Sequence, residues 1–284
     1  MAGSPWRLVG DIDGASAWAP QGIDISVPSV SRMYDFYLGG SHNFEVDREA
    51  ARKAMEFMPG LPKVMQANRA FMRRAVHHAT TLGVNQFLDI GSGIPTFGNV
   101  HEVAQAADPE ARVAYVDHDP VAVAHSQAVL EGNERAVIAA ADLRKPKDIL
   151  DNPEVNALLD LDRPVALLLV AVLHFIEDAD GPYAAVAELR DALAPGSLLV
   201  LTHASYEGIP LPQEEAGGTV DVYRTIRNPL IMRTRKEISR FFEGYEMIDP
   251  GLVAMPEWRP ESAEALAQED PFTYSGFAGV GRKA

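Results

Sequence analysis

Apolar residues fall in short unbroken runs through the middle of the chain and at helical spacing between those runs. Phe87 to Ile90, Val113 to Val116, Ala136 to Ala140, Pro164 to Leu173 and Leu198 to Thr202 are strand-sized. The fourth is almost wholly apolar, as a central parallel strand covered on both faces would be. A helix-like segment follows the first run, Pro146 to Leu159 reads as helix, and Pro182 to Leu193 is a further helix stopped at Pro195-Gly196. This alternation predicts an α/β fold, a Rossmann-like doubly wound sheet with ligand sites at the carboxyl ends of its strands.

The flanks have a different rhythm. Residues 1–27 are rich in glycine and proline and read as an extended arm. Val30, Met33, Tyr34, Tyr37 and Leu38 then recur at helical spacing, and Gly39-Gly40 ends that helix. After the polar loop Ser41-His42-Asn43-Phe44, Asp47 to Met58 forms a second helix and Val64 to Leu82 a third. Residues 28–83 are therefore expected to form a helical cap on a Rossmann-like domain spanning 84–284. Gly208 to Asn228 breaks the strand-helix rhythm, an insertion at about 206–230 above the sheet. Thr234 is placed to cap a short helix, with Glu237 three residues on. Tyr245 to Ile248 and Phe277 to Val280 are two final short strands, bringing the sheet to about seven with the last antiparallel.

Composition narrows the partners. With 284 residues, 47% of them hydrophobic, the chain has material for a sizeable core. Forty acids against twenty-five Lys and Arg give a formal charge of -15, which repels nucleic-acid phosphates and anionic lipid and favours small molecules. There is no cysteine, so disulfides, thiolate metal sites and a cysteine nucleophile are excluded. The longest apolar stretch, Val165 to Val172, falls far short of the roughly eighteen residues that a membrane helix needs, and no leader pattern opens the chain. A cytoplasmic protein with a small-molecule substrate, no nucleic acid and no membrane is expected.

The candidate chemistry centres on Gln86 to Asp119, a strand, glycine turn, helix and strand. Gly91 and Gly93 let a ligand approach the backbone, and Asp117, directly after the second strand, can accept hydrogen bonds from ribose hydroxyls. Asp119, before Pro120, suits a helix cap. A dinucleotide site wants a third glycine at position 96; Thr96 stands there and Pro95 removes a backbone donor, which disfavours NAD(P). The shorter Asp89-x-Gly91-Ser92-Gly93 form resembles the first motif of class I S-adenosylmethionine-dependent methyltransferases, whose cofactor has no pyrophosphate.

The likeness extends further. Arg32-Met-Tyr-Asp-Phe-Tyr-Leu-Gly-Gly-Ser-His-Asn-Phe44, Asn68-Arg69-Ala-Phe71, Phe87-Leu-Asp-Ile-Gly91, Gly98-Asn-Val-His-Glu-Val103, Tyr115-Val-Asp117 and Gly279-Val-Gly-Arg282 resemble a bacterial S-adenosyl methyltransferase family long listed as a domain of unknown function. The resemblance implies the class I sheet of five parallel strands plus an antiparallel final hairpin. It also implies S-adenosyl-L-methionine as cofactor and S-adenosyl-L-homocysteine as product. Asp89, Gly91, Ser92 and Gly93 would then admit methionine and ribose, Asp117 would take the ribose hydroxyls, and His118 would wall the adenine. Asp142 and Leu143 would meet the adenine, and Val172 would lie beneath the reacting methyl. Tyr37, Asn43 and Arg69, with Tyr34 and Asn68, would form a lid, Arg69 facing the methionine carboxylate.

On the acceptor side, His174 is the candidate catalytic group, either a base near neutrality or a pocket floor, with Asp178 beside it. His203 and Tyr206 end the fifth run, and Tyr223 and Arg224 lie in the insertion; all four are candidate acceptor contacts. His77-His78 lacks partners at metal-ligand spacing, and no metal is expected. The alternative to an enzyme is a non-catalytic S-adenosylmethionine sensor or scaffold. An open cavity beside the methyl discriminates for the enzyme, and a filled one for the binder.

Overall fold

The computed structural model describes residues 6–12, 15–20, 24–96, 98–226 and 229–284. Its strands β1 (Trp6–Ile12) and β2 (Ala15–Pro20) pair antiparallel, so the segment read as an extended arm contains a two-stranded sheet. Backbone pairing imposes no hydrophobic period, which is why the pattern did not announce it. Helices α1 (Val30–Tyr37), α2 (Glu45–Phe57) and α3 (Leu61–Thr81) follow.

The sheet begins at β3 (Gln86–Ile90) and continues through α4 (Val100–Ala107), β4 (Arg112–Asp117), α5 (Pro120–Val129) and β5 (Ala136–Ala140). Two short helices come next, α6 (Pro146–Leu150) and α7 (Pro153–Leu158), where one was expected. Pro153 cannot continue a helix, and Asn152 starts a new one by accepting the Glu154 amide at 2.9 Å. Then come β6 (Ala166–Val170), α8 (Pro182–Ala192), β7 (Leu198–Ala204), α9 (Gln213–Thr225) and α10 (Arg235–Ser239). The chain closes with β8 (Tyr245–Met247), β9 (Val253–Ala254), α11 (Ala263–Ala267) and β10 (Gly276–Lys283). Strand β6 is shorter than its apolar run, because Ala171 turns the chain with a φ of +57° and Leu173–Phe175 form a 3-10 turn.

The main sheet has the order β5-β4-β3-β6-β7-β10-β8, with β9 paired to β10. Strands β3 to β7 run parallel to one another, whereas β10 runs antiparallel between β7 and β8. The order reverses between β3 and β6, so a crevice opens outside their carboxyl ends. Period-two alternation divides the core between the two faces. Ala166 and Leu168 of β6 join Phe71, Val76 and Ala104 from α3 and α4 on one face, and Leu167 and Leu169 join Val186 and Leu189 of α8 on the other.

A third apolar cluster roofs the crevice. Met33, Ala54 and Leu61 from the first three helices pack with Val222, Tyr223 and Ile226 from α9 and its end, so cap and insertion share one core. Asp47, fully buried, holds this roof in shape by accepting from Ser29 N at 2.9 Å, Phe44 N at 2.8 Å and Arg32 Nε at 3.0 Å. Ser29 Oγ also donates to Asp119, which ties the cap to the start of α5.

Candidate active site

The end of β3 is bent by two left-handed glycines, Gly91 at φ +74° and Gly93 at +69°. A β-carbon on Gly91 would lie 2.4 Å from Val172 Cγ2, so both the backbone angle and the space demand glycine. The turn is held to the end of β4. Val116 O accepts from Gly91 N and Ser92 N, while Asp117 accepts from Gly93 N at 2.7 Å and Asp119 N at 2.8 Å. Burial pushes the Asp117 carboxyl up, against the pull of those two amides. Asp89 is raised to about 7, chiefly by burial; the Arg69 charge opposes the rise and the Asp117 charge adds to it. Ser92 Oγ is buried with no hydrogen-bond partner.

These groups line a cleft of about 150 Å³. Arg69 reaches it from α3 and donates to Thr96 Oγ1 at 3.0 Å and Asn99 Oδ1 at 3.2 Å. At the far end His118 is largely exposed, and Asp142 grips Arg144 through Nε at 3.0 Å and Nη2 at 2.5 Å. Burial works to raise the Asp142 carboxyl, but the Arg144 hydrogen bonds outweigh it and hold the group below its usual range.

A second cavity, of about 70 Å³, meets the first at Asn68, Ala171 and Phe175. Most of its wall is apolar, including Met58, Met65, Ile209, Leu230 and Met232. Its polar groups include His174, His203, Thr202 and Tyr223. His174 Nδ1 accepts from Ala204 N at 3.3 Å. His203 stands between a carbonyl that only accepts, Ala204 O at 2.8 Å from Nδ1, and a guanidinium that only donates, Arg233 Nη1 at 2.8 Å from Nε2. Its neutral ring therefore carries the proton on Nδ1. Burial lowers the pKa of His203 to about 3, helped by the Arg233 charge and opposed by the Ala204 carbonyl. Burial also drives His174 well below the usual histidine range, with His203 and Arg233 adding to it.

Ten of the residues expected to bind the cofactor line the first cleft: Arg69, Asp89, Gly91, Ser92, Gly93, Asp117, His118, Asp142, Leu143 and Val172. Tyr37 and Asn43 stand apart from it. Tyr37 lies in the roof, where Tyr223 OH donates to its hydroxyl at 3.3 Å, and Asn43 is spent on Asp35 at 2.8 Å and Gly40 O at 3.0 Å. Tyr34, one turn earlier on the same helix, faces the cleft instead. Of the acceptor-side residues, His174, His203 and Tyr223 line the second cavity. Tyr206 and Arg224 line an outer groove, where Arg224 pairs with Asp221 at 2.6 Å, and Asp178 is an exposed carboxylate held by Arg233 at 2.6 Å.

Arg233 has no counterpart among the sequence expectations. It is 3% exposed and donates to Leu173 O, Ile176 O, His203 and Asp178, partners that a one-dimensional pattern does not connect. Thr202 had a signal, a hydroxyl directly after the four apolar residues Leu198 to Leu201. Among the described residues no group of three or more His, Asp or Glu side chains is placed to hold a metal ion, and no helix is long and apolar enough to cross a membrane.

Sheet order, antiparallel β10 and a glycine cleft at the switch point define the class I methyltransferase architecture. The model of the S-adenosyl methyltransferase family matches residues 16–284, and the chain belongs to that family of S-adenosylmethionine-dependent methyltransferases. A Thermobifida fusca YX protein proposed to be a methyltransferase is 39% identical over 94% of this chain and 99% of its own, with a TM-score of 0.88. A DUF574 family protein from Streptomyces avermitilis MA-4680 is 38% identical over 92% of this chain and 100% of its own, with a TM-score of 0.86. A SAM-dependent methyltransferase from Anabaena variabilis ATCC 29413 shares the fold alone, at 13% identity over 75% of this chain and 84% of its own, with a TM-score of 0.50. No curated protein matches the chain.

Proposed function

We propose that this methyltransferase binds S-adenosylmethionine in the first cleft and transfers its methyl group to a small, largely apolar acceptor in the second cavity. The observation that carries this reading is that the two cavities meet at Asn68, Ala171 and Phe175. A protein that only sensed the cofactor would have no use for that junction.

The cleft residues suit the cofactor. Ser92 Oγ offers an unpartnered polar atom, and Gly91 and Gly93 bring backbone to the cleft surface without side chains. Asp117 presents a buried carboxylate to the ribose hydroxyls, Asp142 and Leu143 bound the adenine side, and Arg69 provides the cation for the methionine carboxylate. The cofactor supplies an electrophilic methyl on a sulfonium. The protein aligns an acceptor against it, excludes water with the composite roof of the first three helices and α9, and so works chiefly through proximity and desolvation. The formal charge of -15 supports a small-molecule acceptor rather than a nucleic acid.

Titration calorimetry with S-adenosylhomocysteine is the test. Binding is expected and should be abolished by Gly91→Ala; absence of binding, with NAD bound instead, would overturn the reading.

A further inference from the structure

The second cavity contains two histidines and no usable base. His203 is fixed between Ala204 O and Arg233, its Nε2 lone pair taken by the guanidinium. His174 is fixed by the other side of the same residue, because Ala204 N–H donates to its Nδ1. With that lone pair occupied, the neutral His174 ring carries its proton on Nε2. Phe175 and His203 pack against the ring at centroid distances of 4.4 and 5.5 Å and hold its plane. No Asp, Glu, Lys or Arg among the described residues lines this cavity.

The hydroxyls around it are also committed. Thr202 gives its proton to Asn68, Thr219 to Ala54 O, Tyr223 to Tyr37 and Ser275 to Phe272 O. The cavity therefore provides an imidazole N–H donor in an apolar wall, with the buried Arg233 charge behind it.

We propose that His174 Nε2–H donates to the methyl acceptor rather than deprotonating it, and that the acceptor is a compact apolar molecule of the phenol or enol class, methylated on its ionised oxygen. This rests on the methyltransferase reading of the two cavities. An ammonium would find no carboxylate in the wall of the second cavity to pair with. A neutral amine nitrogen has one lone pair, and a nitrogen that used it to accept from His174 would have none for the methyl. An oxyanion has several pairs and can use one for each. Its charge complements both the N–H and the nearby cations.

The hydroxyl proton goes to solvent as the acceptor ionises. An oxygen lone pair then forms the O–CH3 bond while the methyl–sulfur bond breaks, its electron pair staying on sulfur. The products are a methyl ether and the neutral thioether S-adenosylhomocysteine. The low pKa of His174, set first by burial, keeps its ring neutral while a phenol ionises.

The test has two arms, both on protein saturated with S-adenosylhomocysteine; failure of that saturation would reject the methyltransferase reading itself. In the first, nitrogen NMR of the histidine rings should show His174 as the neutral Nε2–H tautomer between about pH 6 and 8. An Nδ1–H tautomer, or a ring that titrates in that range, overturns the proposal and needs no variant to do so. In the second, calorimetry compares a panel of small phenols with their methyl ethers and the matching anilines. The phenols should bind at least about tenfold more tightly, since of the three classes only they can ionise to present an oxyanion to the N–H, and charge-assisted hydrogen bonds are the stronger ones. His174→Phe should erase the preference, whereas His174→Gln, whose amide N–H reaches a similar position, should retain part of it. Equal binding across the panel, or no binding by any phenol, overturns the proposal.

Discussion

Thr202 Oγ1 donates a 2.6 Å hydrogen bond to Asn68 Oδ1 and accepts one of 2.8 Å from Ala171 N. A single hydroxyl thus joins the sheet, helix α3 and the left-handed turn after β6 at the junction of the two cavities. The turn is costly, since a non-glycine residue at φ +57° sacrifices about 1–2 kcal/mol, and the bond to Thr202 helps to hold it. Thr202→Val keeps the shape but leaves the Ala171 N–H and the Asn68 carbonyl unpartnered. It should cost about 2–4 kcal/mol in chemical denaturation and lower kcat more than it weakens S-adenosylhomocysteine binding.

The two glycines of the turn should respond differently to substitution. Gly93→Ala meets no atom within 4 Å and suffers only from its φ of +69°, so cofactor affinity should fall by about tenfold. Gly91→Ala brings a β-carbon to 2.4 Å from Val172 Cγ2 and should abolish measurable binding. Adding Val172→Gly to Gly91→Ala, which removes both Cγ2 and the β-carbon at 2.7 Å, should recover binding toward the level of Gly93→Ala. No recovery would mean that overlap with Val172 is not the reason position 91 needs glycine.

Asp89 makes the protein sensitive to pH. Its carboxyl titrates at about 7 in the folded chain, above its unfolded value, so between the two the native state binds more protons than the unfolded state. Stability therefore falls as pH rises through this window, by up to about 1.4 kcal/mol per pH unit from this group. Asp89→Asn removes the dependence. Thermal denaturation should show the variant gaining on the wild type from about pH 5 to about pH 8. The ionised carboxylate should also favour the sulfonium over the neutral thioether. The preference for S-adenosylmethionine over S-adenosylhomocysteine should thus grow across the same range in the wild type and stay flat in Asp89→Asn.

Arg233→Met should be costly despite acting at no charged pair of consequence. Asp178 is 71% exposed at its side chain and would simply be rehydrated. The carbonyls of Leu173 and Ile176 and the Nε2 of His203 would instead lose their donor, for about 2–4 kcal/mol in urea unfolding.

The chain discloses its sheet more readily than its site. Continuous apolar runs mark the parallel strands because both faces are covered, as the split of Ala166 and Leu168 from Leu167 and Leu169 shows. Gly91, Gly93 and Asp117 were legible because a strand, a tight turn and a strand-end acid sit at fixed offsets. Tyr34 and Tyr37 illustrate the limit: three residues apart on α1, they differ only in which neighbour each meets, a matter of tertiary packing. Asp178 and Arg233 illustrate it again, since the acid at the plausible position is solvated and the cation that organises the histidines lies 55 residues away. The Asn152-Pro153 break was present in the sequence, and there the local rule prevailed over the longer helical pattern.

Strand β10 sits between β7 and β8, late in the chain yet interior in the sheet. Until Gly276–Lys283 has docked, β7 presents an open edge that could pair with another chain. Completion of the sheet thus joins segments far apart along the polypeptide, and a chain in which β10 has not yet docked exposes an edge open to pairing with a second copy.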